Sequence, residues 1–180
     1  MIKKIILIMG ITSTILISDT NVTALGEEAI MSMVKSLKHT LKGAIKEGGM
    51  VNGANVCKES AVAVEKDVND KLNNIVVKRV TTKPRNMDNT PSADELKVLN
   101  EFEKTNSKKS VTIKIDETHY KVYKPIYMEM KVCVACHGDE KTLNKKAYDI
   151  IKNNYKNDKA IGYKKDDFRG AFVADIILKP

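Results

Sequence analysis

The chain has 180 residues, 42% of them hydrophobic and 30% charged, with a formal charge of +8, a size that suits one domain with a single core rather than two. Lysines run along the whole sequence, Trp is absent and Phe occurs three times. The charge therefore lacks the clustered, aromatic-interleaved pattern of a nucleic-acid surface, and no nucleic acid is expected as a partner.

At the N-terminus Lys3 and Lys4 precede an apolar run over 5–17, polar residues over 18–21, and Val22-Thr23-Ala24. This is the layout of a secretory signal peptide. The run falls short of the about 20 apolar residues that a spanning helix needs, although an uncleaved anchor is the competing reading. The expectation is a signal peptide over 1–24, cleaved near Ala24, and a mature periplasmic domain over 25–180 with a formal charge of +7 and no stable membrane span.

Residues 27–46 repeat apolar side chains at spacings of three and four, which predicts an amphipathic helix ended by Glu47-Gly48-Gly49. After a turn expected at Asn52 and Gly53, a second helix carries Ala54, Cys57, Ala61, Val64, Val68, Leu72 and Ile75 on its inward stripe. Residues 74–82 switch to β-branched side chains and read as a strand. The segment 83–91 is turn chemistry, with Pro84, Pro91 and several Asn and Asp. Ser92-Ala93-Asp94-Glu95 has capping-box spacing ahead of a helix through Leu96, Leu99 and Phe102. Residues 110–115 and 118–127 predict a hairpin turning at Asp116-Glu117, a helix is expected over 143–154, and 168–178 closes the chain as a strand. Helices in front and antiparallel strands behind make an α+β domain.

Three cysteines are an odd count for an exported protein. Two belong to Cys133-Val134-Ala135-Cys136-His137. Covalent haem attachment needs two thiols spaced to meet the two vinyl groups of the porphyrin and an imidazole that reaches the iron, and a CxxC turn followed at once by His meets both needs. Cys133 and Cys136 are thus expected to carry one haem c and His137 to ligate its iron. Two alternatives use the same residues. A thioredoxin-like couple calls for a βαβ context that the pattern lacks, and a zinc site of Cys57, Cys133, Cys136 and His137 would need adjacent Cys and His as ligands.

The sixth iron position has several candidates: Cys57, His39, His119, Met50, Met128 and Met130. Cys57 is the leftover thiol, expected close to a helix start where the dipole favours thiolate; a buried free cysteine acting as a small hydrophobe is the competing reading. His39 sits among Lys38, Thr40 and Lys42 on a polar face, His119 lies by a hairpin turn, and methionines are more often core filler.

Taken together, the sequence resembles a family of single-haem c-type cytochromes with a PAS-like fold, which occur as lumenal or periplasmic proteins and as receptor sensor modules. The resemblance spans essentially the mature chain. It rests on Cys57, on Arg85-Asn86-x-x-Asn89-x-Pro91 followed by Glu95, on Pro125-Ile126 leading to the CxxCH segment and Gly138, on Ala160-Ile161-Gly162-Tyr163, and on Arg169-Gly170-Ala171. It departs from the family pattern at Met87, where Pro is usual, and in lacking an aromatic residue beside Glu95.

The resemblance implies a PAS-like antiparallel sheet with N-terminal helices, and iron held by His137 and Cys57. By similarity and charge, Arg85 and Arg169 could reach the haem propionates, against ordinary turn and strand-end roles. Thiolate ligation stabilises ferric iron, so a low-potential, six-coordinate haem is implied. The expected role is electron transfer or redox response with an unidentified redox partner protein. A periplasmic redox or gas sensor that binds a small gas ligand is the alternative. A haem peroxidase-type enzyme ranks last, because no distal acid and base are visible.

Overall fold

The structure, a computed structural model, describes residues 19–179. Most of the expected leader, over 1–18, lies outside the described residues.

Helix α1 (Asp19–Asp70) is two helical arms joined at Gly48 and Gly49, whose backbone is not helical. Gly49 has φ +68° and ψ −163°, a conformation essentially confined to glycine. The break falls where the sequence places it, but the second arm starts at once, so Asn52 and Gly53 are helical rather than a turn. Asn52 Nδ2 donates to Ala44 O at 2.9 Å, bridging the break from the second arm to the first. The first arm also starts earlier than the apolar periodicity suggests, at Asp19. The expected cleavage point after Ala24 falls inside it. Val22 is fully buried, and Thr23 Oγ1 shares a 2.6 Å hydrogen bond with Thr112 Oγ1.

The remaining elements are β1 (Ile75–Val80), a 3₁₀ turn at Met87–Asn89, α2 (Ala93–Thr105), β2 (Val111–Lys114), β3 (His119–Tyr127), α3 (Lys131–His137), α4 (Lys145–Asn154) and β4 (Phe168–Ile177). The Ser92–Glu95 capping box forms as its spacing requires. The strands make one antiparallel sheet in the order β1-β4-β3-β2, so the α+β reading with N-terminal helices and an antiparallel sheet holds.

The pleat assigns the two faces. Ile75 and Val77 of β1, Tyr120 and Val122 of β3, and Ala174 and Ile176 of β4 meet Val22, Ile30, Met33 and Val68 of α1. Val80, Tyr123, Ala171 and Val173 point to the opposite face, where Leu99 and Phe102 of α2 cover them. Where β3 meets β4 the register shifts at Ile126 and Tyr127. Beside it Gly170 has φ +143°, and a Cβ there would strike the carbonyl of Val80, so only glycine lets the strands approach so closely. This bulged end of the sheet is where the CxxCH segment leaves β3.

Candidate functional site

Helix α3 is seven residues long and contains the whole CxxCH motif. Gly138 N caps the helix by donating to Val134 O at 2.8 Å, and two backbone bonds tie this C-terminal end to the loop over 160–163, Gly162 N to Gly138 O at 2.8 Å and Tyr163 N to His137 O at 3.0 Å. The motif follows an antiparallel strand, not the parallel strand of a βαβ unit. Cys57, Cys133 and Cys136 are all free thiols.

His137 Nδ1 lies 2.8 Å from Ala160 O. A carbonyl can only accept, so Nδ1 carries the proton and Nε2 keeps its lone pair for a metal. Burial, reinforced by the nearby Arg85 and Arg169 charges, holds the His137 pKa well below its ordinary value, so the imidazole is neutral. Burial also raises the Cys136 pKa, helped by Cys57.

The three cysteines and His137 line one cavity between α1 and the sheet. Its walls are mostly apolar, with Leu37, Leu41, Met50, Ala54, Ile126 and Phe172 among them. Helix α4 closes one side through Ala147 and Ile151, which pack on Ala54, Met50 and Cys136. Cys57 is solvent-accessible and lines the cavity rather than filling the core. It is the eighth residue after Gly49, two turns into the second arm. The dipole argument for its thiolate therefore weakens, since that field fades beyond the first turn.

The two arginines singled out by sequence behave differently. Arg85 is 8% exposed and committed: its Nε donates to Asp158 Oδ2 at 3.1 Å, and its Nη2 to Cys136 O at 2.7 Å and Ala160 O at 3.2 Å. Arg169 donates from Nη1 to Thr81 Oγ1 at 2.7 Å and stacks 5.4 Å from the centroid of Tyr163. It has no carboxylate within 4 Å among the described residues. Sequence reasoning missed a third cavity arginine, Arg79. It pairs with Glu65 through Nη2, while its buried Nε has no acceptor among the described residues. Alternation along β1 was the available signal, because Arg79 shares the face of Val77.

The other candidates separate cleanly. Met50, Met128 and Met130 line the cavity. His39 is exposed on α1, and His119 is bonded to Asp175 at 2.7 Å, at the end of β3 remote from Tyr127. No three His, Cys, Asp or Glu side chains converge as a metal group among the described residues, which leaves the zinc reading without a site.

Fold and cavity define a PAS-like α+β domain with a CxxCH helix opening on one apolar, arginine-walled chamber. The Tll0287-like family model, described as Tll0287, matches residues 20–176, and the chain belongs to that family. A solved structure titled the cyanobacterial heme-protein Tll0287 superposes with a TM-score of 0.63 over 84% of this chain and 94% of that one, at 21% identity. No curated protein matches.

Proposed function

We propose that this chain is an exported, single-haem c-type protein with an electron-transfer or redox-responsive role. Cys133 and Cys136 would hold the porphyrin, and His137 and Cys57 the iron. The observation that carries the reading is the His137 Nδ1 bond to Ala160 O, which leaves Nε2 of a neutral imidazole beside two free cysteines in an apolar cavity.

The chain's own residues fit the group. A porphyrin brings four nitrogens, so two protein ligands suffice. Arg169, which lacks a carboxylate, and the unaccepted Arg79 Nε are suited to anionic propionates, whereas Arg85 is better read as the brace of the CxxCH segment. The relative with the similar fold is a haem protein by its title. The haem would supply a one-electron couple, and a thiolate ligand would keep its potential low.

The sensor reading also has an observation in its favour. His137 is tied to the 160–163 loop, while Cys57 stands on the arm beyond the Gly48–Gly49 break. Cys57 is therefore the ligand free to leave on reduction or gas binding.

The test combines extraction and spectroscopy. Haem should resist acid acetone, and ferric protein should give a low-spin thiolate paramagnetic resonance signal that Cys57→Ala removes. Extractable haem would overturn covalent attachment, and an unchanged Cys57→Ala spectrum would overturn the ligand assignment. Carbon monoxide or nitric oxide binding to the ferrous protein would shift the role from carrier to sensor.

A further inference from the structure

The three thiols do not share the cavity evenly. Cys133 packs on Met128, Ala160 and Tyr163, whereas Cys136 packs with Ala54, Met50, Ala147 and Ile151. Ala54 stands one helical turn before Cys57 on the second arm of α1, so the two share a face of that arm. Tyr155 belongs to the same apolar group as Cys136 and lines the cavity together with Cys57. Burial first, and Cys57 next, raise the Cys136 pKa, while Cys133 contributes less although it lies in the same short helix. Cys136 therefore faces the arm that carries Cys57, and Cys133 faces the loop over 160–163. Exposure separates them as well: Cys57 is exposed and the two motif cysteines are half-buried, so a reagent arriving from solvent meets Cys57 first.

We propose that in the chain before haem attachment Cys57 and Cys136 form a disulfide, and that this bond is a redox gate on attachment. A disulfide oxidant, small or protein-borne, of the kind that oxidising compartments supply, drives the step. The Cys57 sulfur attacks one sulfur of the oxidant and displaces the other as a thiol; the Cys136 sulfur then attacks the Cys57 sulfur and displaces the second. The oxidant's S–S bond breaks, the Cys57–Cys136 bond forms, two electrons pass to the oxidant, and the two protons lost by the cysteines end on its new thiols. Both cysteines are free thiols in the structure, and bond formation draws the second arm toward α3 about the non-helical Gly48–Gly49 break. A bond from 57 to 136 closes a far longer loop than one from 133 to 136, so it constrains the unfolded chain more than the motif's own pair would.

The bond stands apart from the haem reading, whereas its consequence rests on that reading. In the disulfide, Cys136 has no thiol for a vinyl group and Cys57 no sulfur for iron. Oxidised chain therefore takes no covalent haem until a dithiol reductant exchanges the bond open. Once Cys136 is a thioether it is out of exchange, so the gate acts before attachment and not after it.

The experiment uses the full chain made without haem, reduced with dithiothreitol and then oxidised with glutathione disulfide under native conditions. Remaining thiols are alkylated, and linkages are mapped by mass spectrometry with peptide fragmentation. The main product should join Cys57 to Cys136, persist in Cys133→Ala and vanish in Cys57→Ala. Oxidation in concentrated guanidinium chloride should instead favour Cys133–Cys136, because short loops close most readily once the fold is gone. A native map dominated by Cys133–Cys136, by Cys57–Cys133, by glutathione adducts or by three alkylated thiols would overturn the bond. Each sample is then offered ferrous haem, and attachment is read as haem that resists acid acetone. The oxidised parent should attach about fivefold less than the reduced parent, recover on re-reduction, and fall about fivefold below Cys57→Ala given the same oxidant. Equal losses in the parent and Cys57→Ala would overturn the gate, since the motif's own pair would then be the block. No covalent haem even in the reduced parent would overturn the haem reading and the gate with it, while the map alone decides the bond.

Discussion

Arg85 and Asp158 form a buried ion pair, and the same guanidinium holds the carbonyls of Cys136 and Ala160. Asp158 in turn accepts from Ala160 N at 2.8 Å. One arginine on the 83–91 turn thus braces both the motif helix and the loop whose carbonyl orients His137.

Removing that brace should be costly. Arg85→Leu leaves Asp158, whose side chain is 5% exposed, as an uncompensated buried charge, and stability should fall by about 3–5 kcal/mol. Arg85→Lys keeps the charge but not the planar fork, so it should recover only part of the melting temperature. Calorimetry of the three proteins checks the ordering. Equal stabilities would show that the pair and its two carbonyl bonds do not brace the site.

Much of the architecture was legible because it is local. The Ser92–Glu95 box, the Asp116 turn and the alternation of β1 all depend on residues within a few positions of each other. The site was legible only in its contiguous part. Cys133, Cys136 and His137 are adjacent, and Cys57 stood out as the leftover thiol. The orienting acceptor of His137, by contrast, is a main-chain carbonyl 23 residues downstream, and every residue has a carbonyl. The commitment of Arg85 to Asp158 spans 73 residues, so charge alone could not separate it from Arg169. Asn52 was misread as a turn residue because its side chain closes the preceding arm while its backbone is already helical.

Glu95 links stability to acid pH. Its side chain is 1% exposed and Lys78 Nζ lies 2.7 Å away, and Ser92 N donates to its Oε2 at 2.9 Å. Burial opposes the charged form, yet the bonds from Lys78 and Ser92 prevail and hold its pKa below the ordinary 4.5. A depressed folded-state pKa contributes stability that is present above 4.5 and lost as pH falls through the folded value. Glu95→Gln should cost about 1–3 kcal/mol at pH 7 and flatten the acid limb of a denaturation series. A parallel acid limb in the variant would assign that slope to other carboxylates.

The expected leader boundary can be tested through packing. Val22 is fully buried against the sheet, and Thr23 bonds to Thr112 across to β2. A chain beginning at Leu25 should therefore be less stable than one beginning at Asp19, by about 1.5–3 kcal/mol for the valine alone. Chemical denaturation compares the two, and mass spectrometry of the protein recovered from cells reports which N-terminus the cell produces. Matching midpoints would mean that the first turn of α1 adds nothing to the fold.

The break at Gly49 sets where the second arm, and with it Cys57, meets the cavity. An alanine at φ +68° and ψ −163° is strained by about 1–3 kcal/mol, although a Cβ there would meet no atom within 4 Å. The cost is therefore conformational and not steric crowding, so relief comes by turning the backbone and re-aiming the arm. Gly49→Ala should lower the melting temperature and, if Cys57 and His137 hold the iron as proposed, reduce the fraction of ferric signal attributable to Cys57 while leaving the His137 contribution intact. Gly43→Ala is the matched control, since Gly43 is an exposed helical position with open space around it, and it should stabilise by about 0.5–1 kcal/mol. If both variants shift stability in the same direction and leave the ligand signal unchanged, the break is a passive interruption and Cys57 is positioned by the packing of Ala54 on α4 instead.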